Sequence, residues 1–190
     1  MNILKTDMIS FSPALPNDKI DAINSVEMSD GLKVYLKFSE RFYPDLLAMG
    51  GLSEFMNDGR LYFDVAFKKN TNEYVLGLFN VGGKAHELTS LESDQEIIDT
   101  ALAELDEVFD GKASQFFIEG LVQNWSKDPF VQGAYSFYGD EYSDLIPRIS
   151  EPVDSKVHFA GEVLNIEEWS TVHGAGFNGR EVAETIMTQG

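Results

Sequence analysis

The stretch HGAGFNGREVAETIM, residues 173–187, decides how this chain is to be read. Gly174, Gly176 and Gly179 spell G-x-G-x-x-G and run into a helical pattern, so the literal reading is a dinucleotide-binding turn. That turn needs a strand ending just before the first glycine and a helix opening at the last ones. It also needs a second parallel strand, with an acidic residue about 20 positions on. The nearest strand pattern, KVHFAG, ends at Gly161, and the intervening EVLNIEEWSTV is polar and irregular. No second strand or ribose acid is expected, since none is read between this stretch and Gly190. The pattern fails on context, and the glycines need another cause. A helix start exposes unpaired N–H groups and the positive end of the dipole. The patch Gly174–Ala175–Gly176 either lets a flat or anionic group reach those donors or permits close helix packing. The segment alone leaves both open.

Outward from this stretch, the 190 residues carry 43% apolar and 24% charged side chains with 14 Phe, a globular composition able to fill a core. No run of about 18 apolar residues predicts a membrane span. The opening MNILKTDMISF lacks the apolar block of a signal peptide. The absence of cysteine excludes disulfides, thiolate metal sites and cysteinyl cofactor links within this sequence, and it fits a cytoplasmic setting. His86, His158 and His173 lack metal-ligand spacing, so no metal is expected. The net charge of −18 argues against nucleic-acid binding, which needs cations to displace counterions. It would favour encounters with cationic substrates, but a solubilising or salt-adapted surface is the preferred reading, and the charge alone decides nothing.

The pattern predicts a strand over NILKTDMISF (2–11) and a helix in LPNDKIDAINSVE capped by Asn17. GLKVYLKFS alternates, with Leu32, Val34, Leu36 and Phe38 facing one way and Lys33, Tyr35 and Lys37 the other. RLYFDVAF and EYVLGLFNV read as a hairpin across KKNTN. The clearest helix covers 93–109, with Ser93 and Glu96 as a capping box. Its apolar face includes Ile97, Ala101, Leu105 and Val108, and Gly111 follows as a stop. SQFFIEGLVQNW and KVHFAG read as strands, and a last helix covers about 173–187. Strands with interspersed helices give an α+β class.

KVHFAGE followed by STVHGAGFNGREVAETI resembles the closing signature of the flavin-containing amine oxidases, the family of monoamine oxidases, polyamine oxidases and flavin-dependent histone demethylases. NWSKDPFVQGAYSF resembles the segment before that signature. The stretch from Ile3 to Pro44 is similar to the passage from the flavin domain into the substrate domain. The matches run in family order from Ile3 to Ile186. TVHGA and DPF…GAYS stand nearer the polyamine oxidase and demethylase branch. The resemblance implies a mixed sheet of the substrate domain with one long helix (1–125), plus the last strand and helix of an FAD-binding domain (126–190). The family's N-terminal Rossmann segment is absent from this sequence.

The resemblance assigns roles to matched residues. Lys33 would hold a water against the flavin and promote its reaction with oxygen, where an ordinary strand lysine like Lys37 is the alternative. Tyr135 would form one wall of an aromatic cage for the amine, where packing beside Phe137 and Tyr138 is the alternative. Ala134 takes the position of the flavin-linked cysteine of monoamine oxidases, so FAD is expected to be noncovalent. Thr171 takes the place of the second cage wall. Trp125 matches a tryptophan near the flavin ring and is equally readable as core. Glu162 would hydrogen-bond the ribityl–phosphate stretch of FAD. Val172, Gly174 and Ala175 fall where the last helix points at the flavin edge, with its dipole toward negative charge there. His173 is read as a capping or packing residue.

The expectation is therefore the C-terminal part of an FAD-dependent amine oxidase, inactive as an isolated chain, acting on a small-molecule amine. The alternative is a non-catalytic binding or assembly domain, or a companion subunit that needs a flavin-domain partner chain. A related flavin enzyme acting on a carotenoid or porphyrinogen shares the closing signature, and Lys33 and Tyr135 favour an amine.

Overall fold

The computed structural model describes residues 1–49, 60–137 and 142–189. The chain forms two compact units: Asp30–Ala134, and Met1–Ser29 together with Tyr135–Gly190. This grouping does not coincide with a division at 125/126, because the first 29 residues join the C-terminal segment.

The first unit is built on a sheet in the order β3-β4-β5-β2-β6. Its strands are β2 (Gly31–Phe38), β3 (Leu46–Ala48), β4 (Arg60–Asp64), β5 (Tyr74–Val81) and β6 (Phe117–Asn124). The sheet expected to be mixed is antiparallel at every pairing among the described residues. The alternation in β2 sets its two faces: Leu32, Val34, Leu36 and Phe38 are buried, while Lys33, Tyr35 and Lys37 are half-buried on the other side. Among the described residues three helices accompany the sheet: α2 (Gly83–Thr89), α3 (Asp94–Phe109) and α4 (Lys112–Phe116). The apolar stripe of α3, with Ile97, Ala101 and Leu105, belongs to the same core as the buried face of β2.

The α3 capping box is present, Glu96 N donating to Ser93 Oγ at 3.2 Å and Ser93 N to Glu96 Oε2 at 3.1 Å. Val108, expected on the apolar face, is 46% exposed, and Phe109 carries the packing on, its ring 5.2 Å from that of Phe42. The strand expected from Ser114 begins only at Phe117. Asp106 accepts from the backbone N–H and the hydroxyl of Ser114, and this coils the preceding turn into α4.

The second unit has a two-stranded pairing of β1 (Glu27–Met28) with β7 (Ser136–Phe137). Its helices are α1 (Asn17–Ser25), α5 (Tyr142–Ser150) and α6 (Val172–Gln189). Ala22, Ile23 and Val26 pack with Leu145, Ile146, Ile149, Val163 and Leu164. Lys19 is almost wholly buried, and it is tolerated there because Nζ donates to the last-turn carbonyls of Arg148 (2.6 Å) and Ile149 (2.7 Å) of α5. Burial holds its pKa below the ordinary lysine value.

Three expectations fail in this unit. Residues 2–11 form no strand: Asn2–Lys5 coil into a 3-10 turn, closed when the Thr6 hydroxyl donates to the Ile3 carbonyl at 2.8 Å. Asn17 does not cap α1; Pro16, extended at φ −60°, holds the cap position, and its carbonyl accepts from Ile20 N at 3.0 Å. KVHFAG makes only a lone bridge, Val153 to Val157, and the Gly161 N–H goes to the Asn178 side chain instead of a strand partner. Among the described residues, no helix is long and apolar enough to cross a membrane.

Candidate functional site

The matched residues fall into two clusters, one in each unit. In the sheet unit, Lys33 stands on the face of β2 opposite the core, between Phe79 of β5 and Gln123 of β6. Its Nζ lies 5.5 Å from the centre of the Phe79 ring, within cation–π range. Lys37, two residues on, is neutralised by Glu73 at 2.7 Å and Glu119 at 3.7 Å. Among the described residues Lys33 has no such carboxylate partner, in a chain with 32 acids. Lys37 is thus the charge-paired lysine of the two.

Trp125 follows β6 opposite Gly31, donating its N–H to the Gly31 carbonyl at 3.1 Å, and is 38% exposed. Its own carbonyl accepts from Asp128 N and Gly133 N, closing the 125–133 turn that delivers Ala134. A Cβ on Gly31 would stand 2.6 Å from Ala134 Cβ, so glycine there is what lets Ala134 lie on the sheet. Period-two alternation puts Gly31 and Lys33 on the same face. Lys33, Trp125 and Ala134 therefore gather at one end of one sheet face.

In the other unit the organiser is Glu162. Its Oε1 accepts from Ser136 N at 3.0 Å, and its Oε2 accepts from Ser136 Oγ at 2.7 Å and Ser170 N at 2.8 Å. Ser170 Oγ in turn donates to the Ser136 carbonyl at 2.8 Å. Tyr135 precedes this knot, half-buried, with its carbonyl accepting from Ser29 N at 3.0 Å. Burial raises its phenol above the ordinary value. Phe137, two residues on, is 57% exposed, and Tyr138 lies outside the described residues.

Thr171 is the N-cap of α6. Its Oγ1 accepts from Gly174 N at 3.0 Å and donates to the Glu168 carbonyl at 2.5 Å. Val172, in the first turn, is 92% exposed. A Cβ on Gly174 would come within 2.0 Å of that same Glu168 carbonyl oxygen, so this glycine answers a close backbone approach inside the chain. A Cβ on Gly176 would meet nothing within 4 Å. His173 Nε2 pairs with Glu168 Oε2 at 2.8 Å and its ring meets that of Phe177, which fits the packing role expected of it. Ser136, Ser170 and Glu168 carry no motif and were missed by sequence reasoning; only the S-T pair before a helix hinted at a cap.

The family model described as Flavin containing amine oxidoreductase matches residues 1–187. The chain belongs to that family. Polyamine oxidase 3 of Oryza sativa subsp. japonica is 32% identical over 185 residues, 97% of this chain and 37% of that protein. Lysine-specific histone demethylase 1 homolog 3 of Arabidopsis thaliana is 31% identical over 98% of this chain and 12% of that protein. The chain thus spans well under half the length of these relatives. The solved cyclohexylamine oxidase from Brevibacterium oxydans IH-35A superposes with a TM-score of 0.71 at 22% identity, over all of this chain and 42% of that one, and shows the same fold.

For an amine oxidoreductase the flavin can be tested against the donors present. A carboxylate offers about four lone-pair sites, and the three donors from Ser136 and Ser170 leave Glu162 about one for a ligand hydroxyl. The open first turn of α6 presents N–H groups at Val172 and His173, suited to an electron-rich ring edge. In the sheet unit, the ammonium of Lys33 and the ring of Trp125 are by themselves compatible with a flat, polar-edged group.

Proposed function

We propose that this chain supplies amine-side and flavin-edge residues of an FAD-dependent amine oxidase. The observation that carries the reading is Lys33: a half-buried ammonium on an aromatic surface, with no acid beside it among the described residues, while Lys37 next to it is doubly paired. Such a cation is worth most where negative charge develops in a dry site.

In this reading Lys33 orients a water and stabilises charge developing on oxygen. Tyr135 offers an apolar wall to the alkyl chain of a neutral amine, its phenol kept protonated by burial. Trp125 packs against the ring edge, and Ala134 leaves room without forming a covalent link. The first turn of α6, from Val172 through Gly174 and Ala175, directs its N–H groups at the flavin edge. Glu162 accepts one ribityl hydroxyl. Thr171 acts through the helix it caps. FAD, when bound, supplies the acceptor for the hydride that leaves the carbon beside the amine nitrogen. A polyamine suits the strongly acidic chain.

A companion-chain form of this reading is favoured by one observation. Val172 and Met187, in the first and last turns of α6, are large apolar side chains 92% and 73% exposed, which suits cover by a flavin-domain segment. The test is a titration of the chain with FAD, alone and with a companion carrying the nucleotide-binding segment. The reading expects bound flavin absorbance with the companion; free flavin in both arms rejects it.

A further inference from the structure

We propose that Glu162 is a positioning residue that ties the strand presenting Tyr135 to the turn that launches α6. The tie runs through two serines that lie 34 positions apart in the sequence. Ser136, next to Tyr135 and fully buried, gives both its N–H and its hydroxyl to the Glu162 carboxylate. Ser170, next to the Thr171 cap, gives its N–H to Glu162 and its hydroxyl to the Ser136 carbonyl. The result is a closed ring of four hydrogen bonds around one carboxylate, three of them charge-assisted.

The backbone at Ser170 is left-handed, with φ of 57°. A non-glycine residue holds that conformation when its surroundings impose it. Here both polar atoms of Ser170 that could impose it are engaged by the ring. The bend at Ser170 is what turns the chain into Thr171 and α6, so Glu162 fixes the start of the helix as well as the strand. A neutral amide cannot replace it. Glutamine would aim an NH2 donor at one of the three donors that now meet carboxylate oxygens.

The consequence for amine oxidation rests on the function proposed above; the tie itself does not. The test is amide hydrogen exchange and NMR on the full chain, without FAD. Glu162→Gln is expected to lower protection at both Ser136 and Ser170 by roughly tenfold, the equivalent of about one net hydrogen bond at each. It should also shift the Tyr135 ring resonances, while amides of β2 and β5 stay as they were. Ser136→Ala, a milder change, should lower protection at the Ser170 amide through Glu162. Unchanged Ser170 protection in Ser136→Ala, or unchanged protection at both serines in a folded Glu162→Gln, overturns the tie. Failure of the chain to bind FAD leaves these readouts intact and counts only against the flavin reading.

Discussion

The carbonyl oxygen of Glu168 lies where a side chain on Gly174 would have to go, 2.0 Å from an ideal Cβ. The glycine that looked like part of a nucleotide fingerprint is fixed by its own chain. Gly176, two residues on, faces open space. The two positions should respond oppositely to alanine. Gly174→Ala must displace backbone and should cost about 1–3 kcal/mol or more. Gly176→Ala lies inside a helix with room for a methyl group and should stabilise the isolated chain by up to about 1 kcal/mol. Urea melts of the two variants decide this, and equal shifts would remove the close approach from the account.

The same contrast measures how far the sequence could be read. Alternation along Leu32–Phe38 was enough for β2, because burial on one face imposes a period of two. Ser93 and Glu96 marked the start of α3, because both capping partners lie within one turn. For Lys33, Trp125 and Ala134 the resemblance supplied separate roles toward one cofactor, not their shared place at one end of a sheet face. What stayed hidden depends on partners remote in sequence. Ser136 reaches Glu162 across 26 positions, and nothing near either residue signals it. KVHFAG looks like a strand but pairs with no second strand among the described residues, and its last N–H goes to Asn178. Helix α5 was missed because Pro147 lies inside it, where proline normally reads as a break.

The capping box gives a prediction independent of any cofactor. Ser93→Ala removes the acceptor for Glu96 N and should cost about 0.5–2 kcal/mol, and Ser93→Gly should cost only a few tenths. Chemical denaturation with an unchanged slope is the measurement. A Ser93→Ala variant as stable as the parent would contradict the assigned start of α3.

Alkaline stability should reveal the buried phenols. Tyr62 is fully buried, and burial first, then the Glu104 carboxylate that accepts its hydroxyl at 2.7 Å, raises its pKa. Tyr43 is raised in the same direction, chiefly by burial. A raised folded pKa gives stability that is fully present below the unfolded tyrosine value of about 10 and is lost as the pH climbs beyond it. Lys19, lowered by burial, works in the opposite sense as the pH approaches its ordinary value. Denaturant midpoints should fall between about pH 9 and about pH 11, and less steeply in Tyr62→Phe. Parallel curves for parent and variant would show that Tyr62 is not the group responsible.

The most direct measurement is the rate of flavin reoxidation with and without Lys33. The chain is combined with a companion carrying the nucleotide-binding segment, loaded with FAD, bleached anaerobically with a polyamine and mixed with oxygen. The account predicts that Lys33→Met still bleaches but regains its colour roughly ten- to a hundredfold more slowly, as expected when one preorganised charge is removed. Recovery at the parent rate would contradict the role given to Lys33 and, with it, the central claim.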